Sequence, residues 1–411
     1  MSDTQKFDRA DSRVREDTGL AGAARAFVDR VRSGDLGMIP VILGLIVIAV
    51  VFTSLNPVFM RPQNLTNLLF DAAAVGLISL GVVFCLLLGE IDLSIGSMSG
   101  VASAILGVLW VSVGIPWPLA ILAALAAGAF TGLVYAALLN RFGMPSFVST
   151  LAGLLALLGL QLFLLGNSGS INLPFQSFLI RFGQILVMPG WLSYLLALVP
   201  GVVIFVFGMQ TRSERAAANL SVPAMSVLVA KAASLTAVIL IAVWYLNQGR
   251  GVPYMFVFFV LLVTGMEYIL TRTQFGRSIF AVGGNREAAR RAGIKVERIR
   301  IYAFMICSTF AAAGGILAAS RLASASRQAG TGDVNLNAIA AAVIGGTSLF
   351  GGRGSAWSAL LGVLVIQAIS NGLTLLNLSS SLRYMILGAV LALAVIVDSL
   401  ARQSRASHGR A

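Results

Sequence analysis

Apolar stretches of roughly 15 to 25 residues follow one another along almost the whole chain, and they constrain its fold more than any other feature. Apolar residues make up 58% of the 411 residues and charged residues only 11%, which is far from the composition of a water-soluble domain. The pattern predicts an all-α polytopic membrane protein, because an apolar helix of about 20 residues crosses a bilayer. We expect about twelve transmembrane helices, near 38–55, 65–89, 95–113, 117–140, 146–165, 191–208, 232–247, 253–271, 301–320, 336–350, 356–377 and 382–400.

The distribution of basic residues predicts the orientation of these helices. A formal net charge of +13 would ordinarily raise nucleic acid as a partner, but the charges are concentrated in a few segments. Eight of the 29 Lys and Arg residues lie between Arg272 and Arg300, and more lie in the first 37 residues. Loops rich in Lys and Arg stay in the cytoplasm. We therefore expect both termini and the loop 272–300 to be cytoplasmic, with no nucleic-acid partner.

The domain organisation follows from the same pattern. Residues 1–37 are expected to form a polar cytoplasmic tail, 38–400 a single transmembrane domain, and 401–411 a second cytoplasmic tail. The segment 336–350 is short and runs into a glycine-rich stretch, so it either crosses the membrane fully or is re-entrant. A re-entrant half-helix is tolerated only where protein or water surrounds its free backbone groups.

The charged loop 272–300 contains the signals of a short capped helix near 285–293. Asn285 is a good N-cap residue, Glu287 falls near the positive end of the helix dipole, and Gly293 can end the helix in a left-handed conformation. Small alanine side chains between them would let another surface approach closely. The loop is therefore interpreted either as a docking site for a partner or as a solvated linker.

Polar residues between the second and third apolar runs form another candidate site. Glu90 and Asp92 lie between two helices without a spacer, and ionisable residues in such surroundings are often functional. They predict a bent segment near a pathway or gate. The sequence equally allows Asp92 and Ser94 to cap the next helix.

Three stretches carry a resemblance to a known family. GRSIFAVGGNREAARRAGIKVERIR (276–300), GEIDLSIGSMSG (89–100) and LNAIAAAVIGGTSLFGGRGSAWSALLG (336–362) resemble signatures of the ABC importer permeases of the ribose, galactose and xylose group, nearest to the xylose-type branch. The resemblance implies a ten-helix core, with 191–250 as an inserted helix pair and 272–300 as the loop that couples to a cytosolic ATPase.

The resemblance also implies a function and a set of site residues. It implies a permease subunit of the bacterial cytoplasmic membrane that imports a monosaccharide, most simply D-xylose, as a homodimer with an ABC ATPase and a periplasmic or lipid-tethered sugar-binding protein. The residues implied in coupling to the ATPase are Gly276, Arg277, Gly283, Gly284, Asn285, Glu287, Ala288, Ala289, Arg290 and Gly293. The candidates for the pathway or gate are Glu90, Asp92, Ser94, Gly96, Ser97 and Asn371, and Asn371 could bind either a sugar hydroxyl or a neighbouring helix.

Missing motifs argue against an enzyme. No lysine follows a glycine, so the chain has no P-loop for nucleotide phosphates. Two cysteines and one histidine, far apart in sequence, suggest no metal site and no cofactor. The alternative within transport is a 12-helix proton-coupled secondary sugar transporter, which would need proton-relay carboxylates in its helices.

The predicted orientation can be tested with single cysteines. Ser168→Cys and Ser326→Cys should react with a membrane-impermeant thiol reagent in intact cells, because both positions are expected outside. Ser213→Cys and Ser404→Cys should stay unlabelled until the membrane is opened. Labelling of Ser213→Cys from outside would contradict the topology from the sixth helix onward.

Overall fold

The computed structural model describes residues 22, 39–220, 222 and 224–407. The predicted tail at 1–37 therefore lies, apart from residue 22, outside the described residues. Within the described part the chain is mostly helical, as predicted, with one small two-stranded sheet that the sequence analysis missed. The helices are α1 Ile39–Leu55, α2 Pro62–Leu87, α3 Ile95–Gly107, α4 Trp117–Phe142, α5 Ser146–Leu165, α6 Phe178–Gln184, α7 Gly190–Ala217, α8 Met225–Asn247, α9 Tyr254–Arg272, α10 Gln274–Gly284, α11 Arg286–Arg291, α12 Val296–Leu322, α13 Val334–Ile344, α14 Trp357–Leu375 and α15 Ser380–Ser407.

Short elements complete the chain. A π-helical turn, Val108–Ser112, continues α3, and a 3-10 turn, Gly166–Ser168, follows α5. The strands are β1 Ser170–Asn172 and β2 Ser324–Ser326, which pair antiparallel with Ile171 opposite Ala325. The last helix, α15, continues through Ser407, so the residues from 401 to 407 of the predicted cytoplasmic tail are helical.

Two compact units can be distinguished, and one of them contains residues Val187–Val252. Its helices α7 and α8 pack closely at Gly201, where a Cβ atom would collide with the hydroxyl of Thr236. Asn247 donates a hydrogen bond of 3.0 Å to the Ser193 hydroxyl. Small residues and side-chain hydrogen bonds of this kind hold helices together in lipid, where burial of apolar groups drives no association.

The other unit contains Met38–Leu186 and Pro253–Leu400, and α2 lies at its centre. Of the apolar window of α2, 83% is buried. Neighbouring helices approach at glycines. A Cβ on Gly81 of α2 would lie 2.7 Å from the carbonyl oxygen of Cys307 in α12, and one on Gly315 of α12 would collide with the backbone of Ser99 in α3. The backbones of α2, α3 and α12 are therefore in direct contact.

The unit has two ends that can be named from its contacts. At one end the chain after α2 meets α10 and the loop before α14, since Gly352 donates a hydrogen bond to the carbonyl of Leu87. We call this the coupling-loop end. At the other end, which we call the sheet end, α12 finishes at Leu322 beside β2, and Arg321 pairs with Asp71 near the start of α2.

Two helices of this unit, α3 and α13, begin beside one another. Gly96 near the start of α3 contacts Gly330 and Asn335, which flank the start of α13. From this point α3 runs to the sheet end, where Gly107 contacts Ala325, and α13 runs to the coupling-loop end. With 11 residues, α13 is about 16 Å long, or half the hydrocarbon thickness of a bilayer. The helix is shorter than a full span, and residues 327–333 precede it in irregular backbone.

Nine helices of the described residues are long and apolar enough to cross a membrane, and α1 and α13 are shorter apolar helices. The chain is therefore a multi-pass, mainly helical membrane protein. Each of the twelve predicted segments overlaps one helix of the structure. The number of crossings and the side on which the termini lie remain predictions.

Candidate functional site

The predicted coupling loop folds into two short helices with side-chain caps. The Thr273 hydroxyl accepts a hydrogen bond from the Gly276 amide at the start of α10, at 3.2 Å. The Asn285 side chain accepts one from the Ala288 amide at the start of α11, at 2.9 Å, as its residue type predicts. Gly284 is the last residue of α10, and Gly293 takes a left-handed conformation with φ of +84° after α11. The glycines therefore end helices where the sequence suggested.

Only part of α11 is available to another protein. The exposed residues of the coupling loop include Glu287, Ala288 and Arg290 of α11 and Arg277 of α10. Ala289 is buried, with 4% of its surface exposed. Ala289 therefore contributes little exposed surface to α11, and its assignment to the ATPase contact stays a prediction.

Glycine backbones from the three signature stretches meet at the coupling-loop end. A Cβ on Gly283 of α10 would collide with the Leu87 carbonyl, and one on Gly351 would lie 2.7 Å from the Gly283 carbonyl oxygen and 2.8 Å from the Gly89 nitrogen. Gly89 and Gly351 both have positive φ, which favours glycine. The coupling loop therefore touches the segment after α2 backbone to backbone.

Glu90 forms the second contact between these stretches. Its Oε1 lies 2.6 Å from Nη2 of Arg286 and 3.4 Å from Nη2 of Arg300. The Glu90 side chain is 8% exposed, that of Arg300 is 17% exposed and that of Arg286 is 43% exposed. A buried carboxylate needs a partner. Arg300 is the inner partner, and Arg286 connects the carboxylate to the exposed helix α11.

Asp92 does not cap α3 as the sequence allowed. Its Oδ1 accepts hydrogen bonds from the amide and the hydroxyl of Ser94, at 2.8 and 2.6 Å, and Ser94 itself precedes the helix. The Gly96 amide in the first turn donates instead to the Asn335 side-chain oxygen, and the Asn335 side-chain nitrogen donates to the Leu93 carbonyl. The cap of α3 thus comes from α13, and Asp92 shapes the turn before α3.

The irregular segment 90–94 contacts two further helices, α5 and α12. At the start of α5, Thr150 accepts a hydrogen bond from the Leu93 amide at 3.2 Å. From α12, the Cys307 thiol lies 3.8 Å from Oδ2 of Asp92. Ser94 and Ser97 are buried. The segment is therefore held by hydrogen bonds from side chains of neighbouring helices.

Asn371 lies away from this cluster. Its side chain forms reciprocal hydrogen bonds with Asn64, at 2.8 and 3.1 Å, which join α14 to α2. The structure therefore provides the helix–helix contact that the sequence left open beside sugar binding. Among the described residues, no group of three or more His, Cys, Asp or Glu side chains could hold a metal ion.

Known proteins match the chain over almost its full length. Residues 64–395 match the family described as the permease component of the branched-chain amino acid transport system. The xylose transport system permease protein of Escherichia coli strain K12 is 35% identical, over 90% of this chain and 94% of its own length. This chain belongs to the ABC permease family. The predicted resemblance is confirmed.

Other relatives of this permease have related names. The xylose transport system permease protein of Haemophilus influenzae is 32% identical, over 90% of this chain and 98% of its own. The ribose import permease protein of Bacillus subtilis is also 32% identical, over 87% and 91%. No solved structure matches the chain.

Two residues at the centre of the cluster around Glu90, Arg286 and Arg300, were not predicted from the sequence, because both were counted only toward membrane orientation. One signal could have found them. Glu90 has no basic residue within its own stretch of sequence, so a buried Glu90 needs a partner from elsewhere, and the loop richest in arginine is the natural source.

Loss of the buried Glu90 carboxylate is expected to destabilise the permease more than loss of an exposed carboxylate. Glu90→Gln should lower the free energy of unfolding of the purified permease by on the order of 1–3 kcal/mol, because Arg300 would then be a largely buried charge without its carboxylate. Thermal or denaturant unfolding in detergent measures this effect. Glu287→Gln is the matched control, since the Glu287–Arg290 pair at 3.4 Å is exposed on both sides and such pairs contribute little. Equal losses in the two variants would contradict the importance of burial at Glu90.

Proposed function

We propose that this chain is the membrane-spanning permease subunit of an ATP-driven importer for a monosaccharide, with D-xylose as the first choice. The names of the relatives support sugar import, and relatives named for ribose keep other monosaccharides open. Two copies would form the pathway in the cytoplasmic membrane, with twelve crossings and both termini in the cytoplasm. One copy has one coupling loop, so two copies match an ATPase dimer with two grooves.

The partners follow from the family. A cytosolic ATPase would bind the exposed part of α11, and a periplasmic or lipid-tethered sugar-binding protein would deliver the sugar at the sheet end. The chain would not hydrolyse ATP itself, which agrees with its lack of a Gly-Lys phosphate loop.

The contact between the coupling loop and Glu90 carries the proposal. Movement of α11 would be felt by Arg286, passed to Glu90 through their 2.6 Å ion pair, and so reach segment 90–94. That segment leads into α3, which is capped by Asn335 of the short helix α13. Closure of the ATPase would in this way shift two helices that begin in the middle of the bundle, as alternating access requires.

A proton-coupled transporter is the second candidate, because Asp92 is a buried carboxylate for which the described residues provide no ion pair. The ion pairs of Glu90 speak against that residue as a proton relay, since a relay must exchange its proton during transport. A coupling loop with a capped, exposed helix also has no role in that mechanism.

The energy source separates the two candidates. Proteoliposomes that contain this permease with its ATPase and binding protein should take up labelled D-xylose when ATP is present on the side of the membrane where the ATPase binds. A proton ionophore should not reduce this uptake. Unlabelled ribose, arabinose, galactose and glucose should be tested as competitors to define the sugar. Uptake driven by a proton gradient, without ATP or ATPase, would refute the importer.

Docking on α11 predicts a site-specific loss of coupling. Ala288→Trp should leave the permease folded, because Ala288 is exposed, but should block close approach of the ATPase and so reduce both co-purification and uptake by about tenfold or more. Ala217→Trp, at an exposed position at the end of α7, is the matched control and should change neither. Normal uptake by Ala288→Trp would refute docking on α11 and would support the interpretation of the loop as a solvated linker.

A further inference from the structure

A polar cavity of about 230 Å³ lies where α13 begins, beside the ends of α14 and α15 that face the sheet end. A water molecule occupies about 30 Å³ of liquid, so the cavity has room for a solute larger than a few waters. Residues from three helices or their approaches form its wall: Asp333, Ser370, Ser380, Arg383, Tyr384 and Leu387.

The cavity contains both signs of charge. Asp333 uses one carboxylate oxygen to accept a hydrogen bond of 2.9 Å from Asn337, and a carboxylate can accept several more. Arg383 donates to the hydroxyls of Thr374 and Ser380, at 3.0 and 3.1 Å, and a guanidinium has five N–H donors. Acceptors and donors therefore remain for a solute, and their charges balance.

An aromatic side chain completes the wall. Tyr384 is 55% exposed, and a Cβ on Gly332 would lie 3.7 Å from its hydroxyl oxygen. Its ring offers an apolar face with a polar end. Small-molecule sites use a few placed polar groups to orient the ligand, and here such groups make up most of the wall beside one aromatic face.

The cavity also lies at a distinctive place in the fold. Asp333 directly precedes the short helix α13, and two residues later Asn335 joins α13 to the start of α3. Gly330 and Gly332 before it have positive φ. Transported solutes are bound near the ends of discontinuous helices in many membrane transporters, because unpaired backbone groups and helix dipoles are available there.

We infer that this cavity binds a monosaccharide during its passage, through hydrogen bonds from hydroxyls to Asp333 and Arg383 and contact of the ring with Tyr384. The inference rests on the proposed function and adds a substrate site to it. A neutral polyhydroxyl solute suits the balanced charges, whereas an anion would meet Asp333 and a cation would meet Arg383. Weak binding is expected, since a transported solute must leave again.

Protection of a cysteine tests the cavity directly. In the purified permease, Ser370→Cys should react with a small thiol reagent, and D-xylose should slow the reaction along a saturating curve, because only an empty cavity reacts. The native Cys85 and Cys307 are fully buried, and the parental protein measures their background. Ser168→Cys, exposed and outside the cavity, should react at the same rate with and without sugar. A rate at Ser370→Cys that no monosaccharide changes would overturn the inference.

Transport by the complete complex gives the second test. Asp333→Asn and Arg383→Gln should each lower D-xylose uptake roughly tenfold, by loss of a charge-assisted hydrogen bond. Stimulation of ATP hydrolysis by the loaded binding protein should persist, because the coupling loop is intact. Leu382→Ala, an exposed neighbour on α15, should transport normally. Parental uptake rates in both cavity variants would also overturn the inference.

The two hypotheses fail in different ways. No ATP-dependent uptake by the parental complex would refute the proposed function, whatever the variants do. Uptake by the parental complex with no cysteine protection would refute the cavity alone. If the variants do not accumulate as folded protein, the protection of Ser370→Cys by sugar decides.

Discussion

Every backbone N–H and C=O group inside a bilayer must find a partner within the protein, and this constraint governs the arrangement of the larger unit. The chain breaks its helices at two places, before α3 and before α13. At the first, Asn335 accepts from Gly96 and donates to the Leu93 carbonyl, while Thr150 accepts from the Leu93 amide. Side chains of other helices thus replace the missing helical hydrogen bonds. Irregular backbone survives here because neighbouring helices enclose it.

The same enclosure explains the charges. Glu90 sits at the end of the most buried helix, where a carboxylate without a partner would cost several kcal/mol. Arg286 of α11 and Arg300 of α12 offset that cost. The pairing makes the conformation of segment 90–94 depend on the position of the coupling loop.

Local signals were predicted well from sequence. Each of the twelve apolar segments overlaps a helix of the structure, and residue types located the cap at Asn285 and the left-handed Gly293. These features depend on a few consecutive residues. The partners of Glu90, the cap of α3 by Asn335 and the Asn64–Asn371 pair join residues hundreds of positions apart, and no local pattern encodes them. The burial of Ala289 likewise depends on how the loop packs.

The glycine contacts at the coupling-loop end have a consequence for adaptation. Gly89, Gly283 and Gly351 meet through main-chain atoms, so no rotamer can yield when one of the segments moves. A displacement of the loop is therefore expected to displace the neighbouring segment directly, with no side-chain rearrangement between them. The same geometry removes the usual route by which a harmful substitution is rescued, because a partner without a side chain has no volume to give up. Sequence change in this region is thus expected to be accommodated around the junction and not within it.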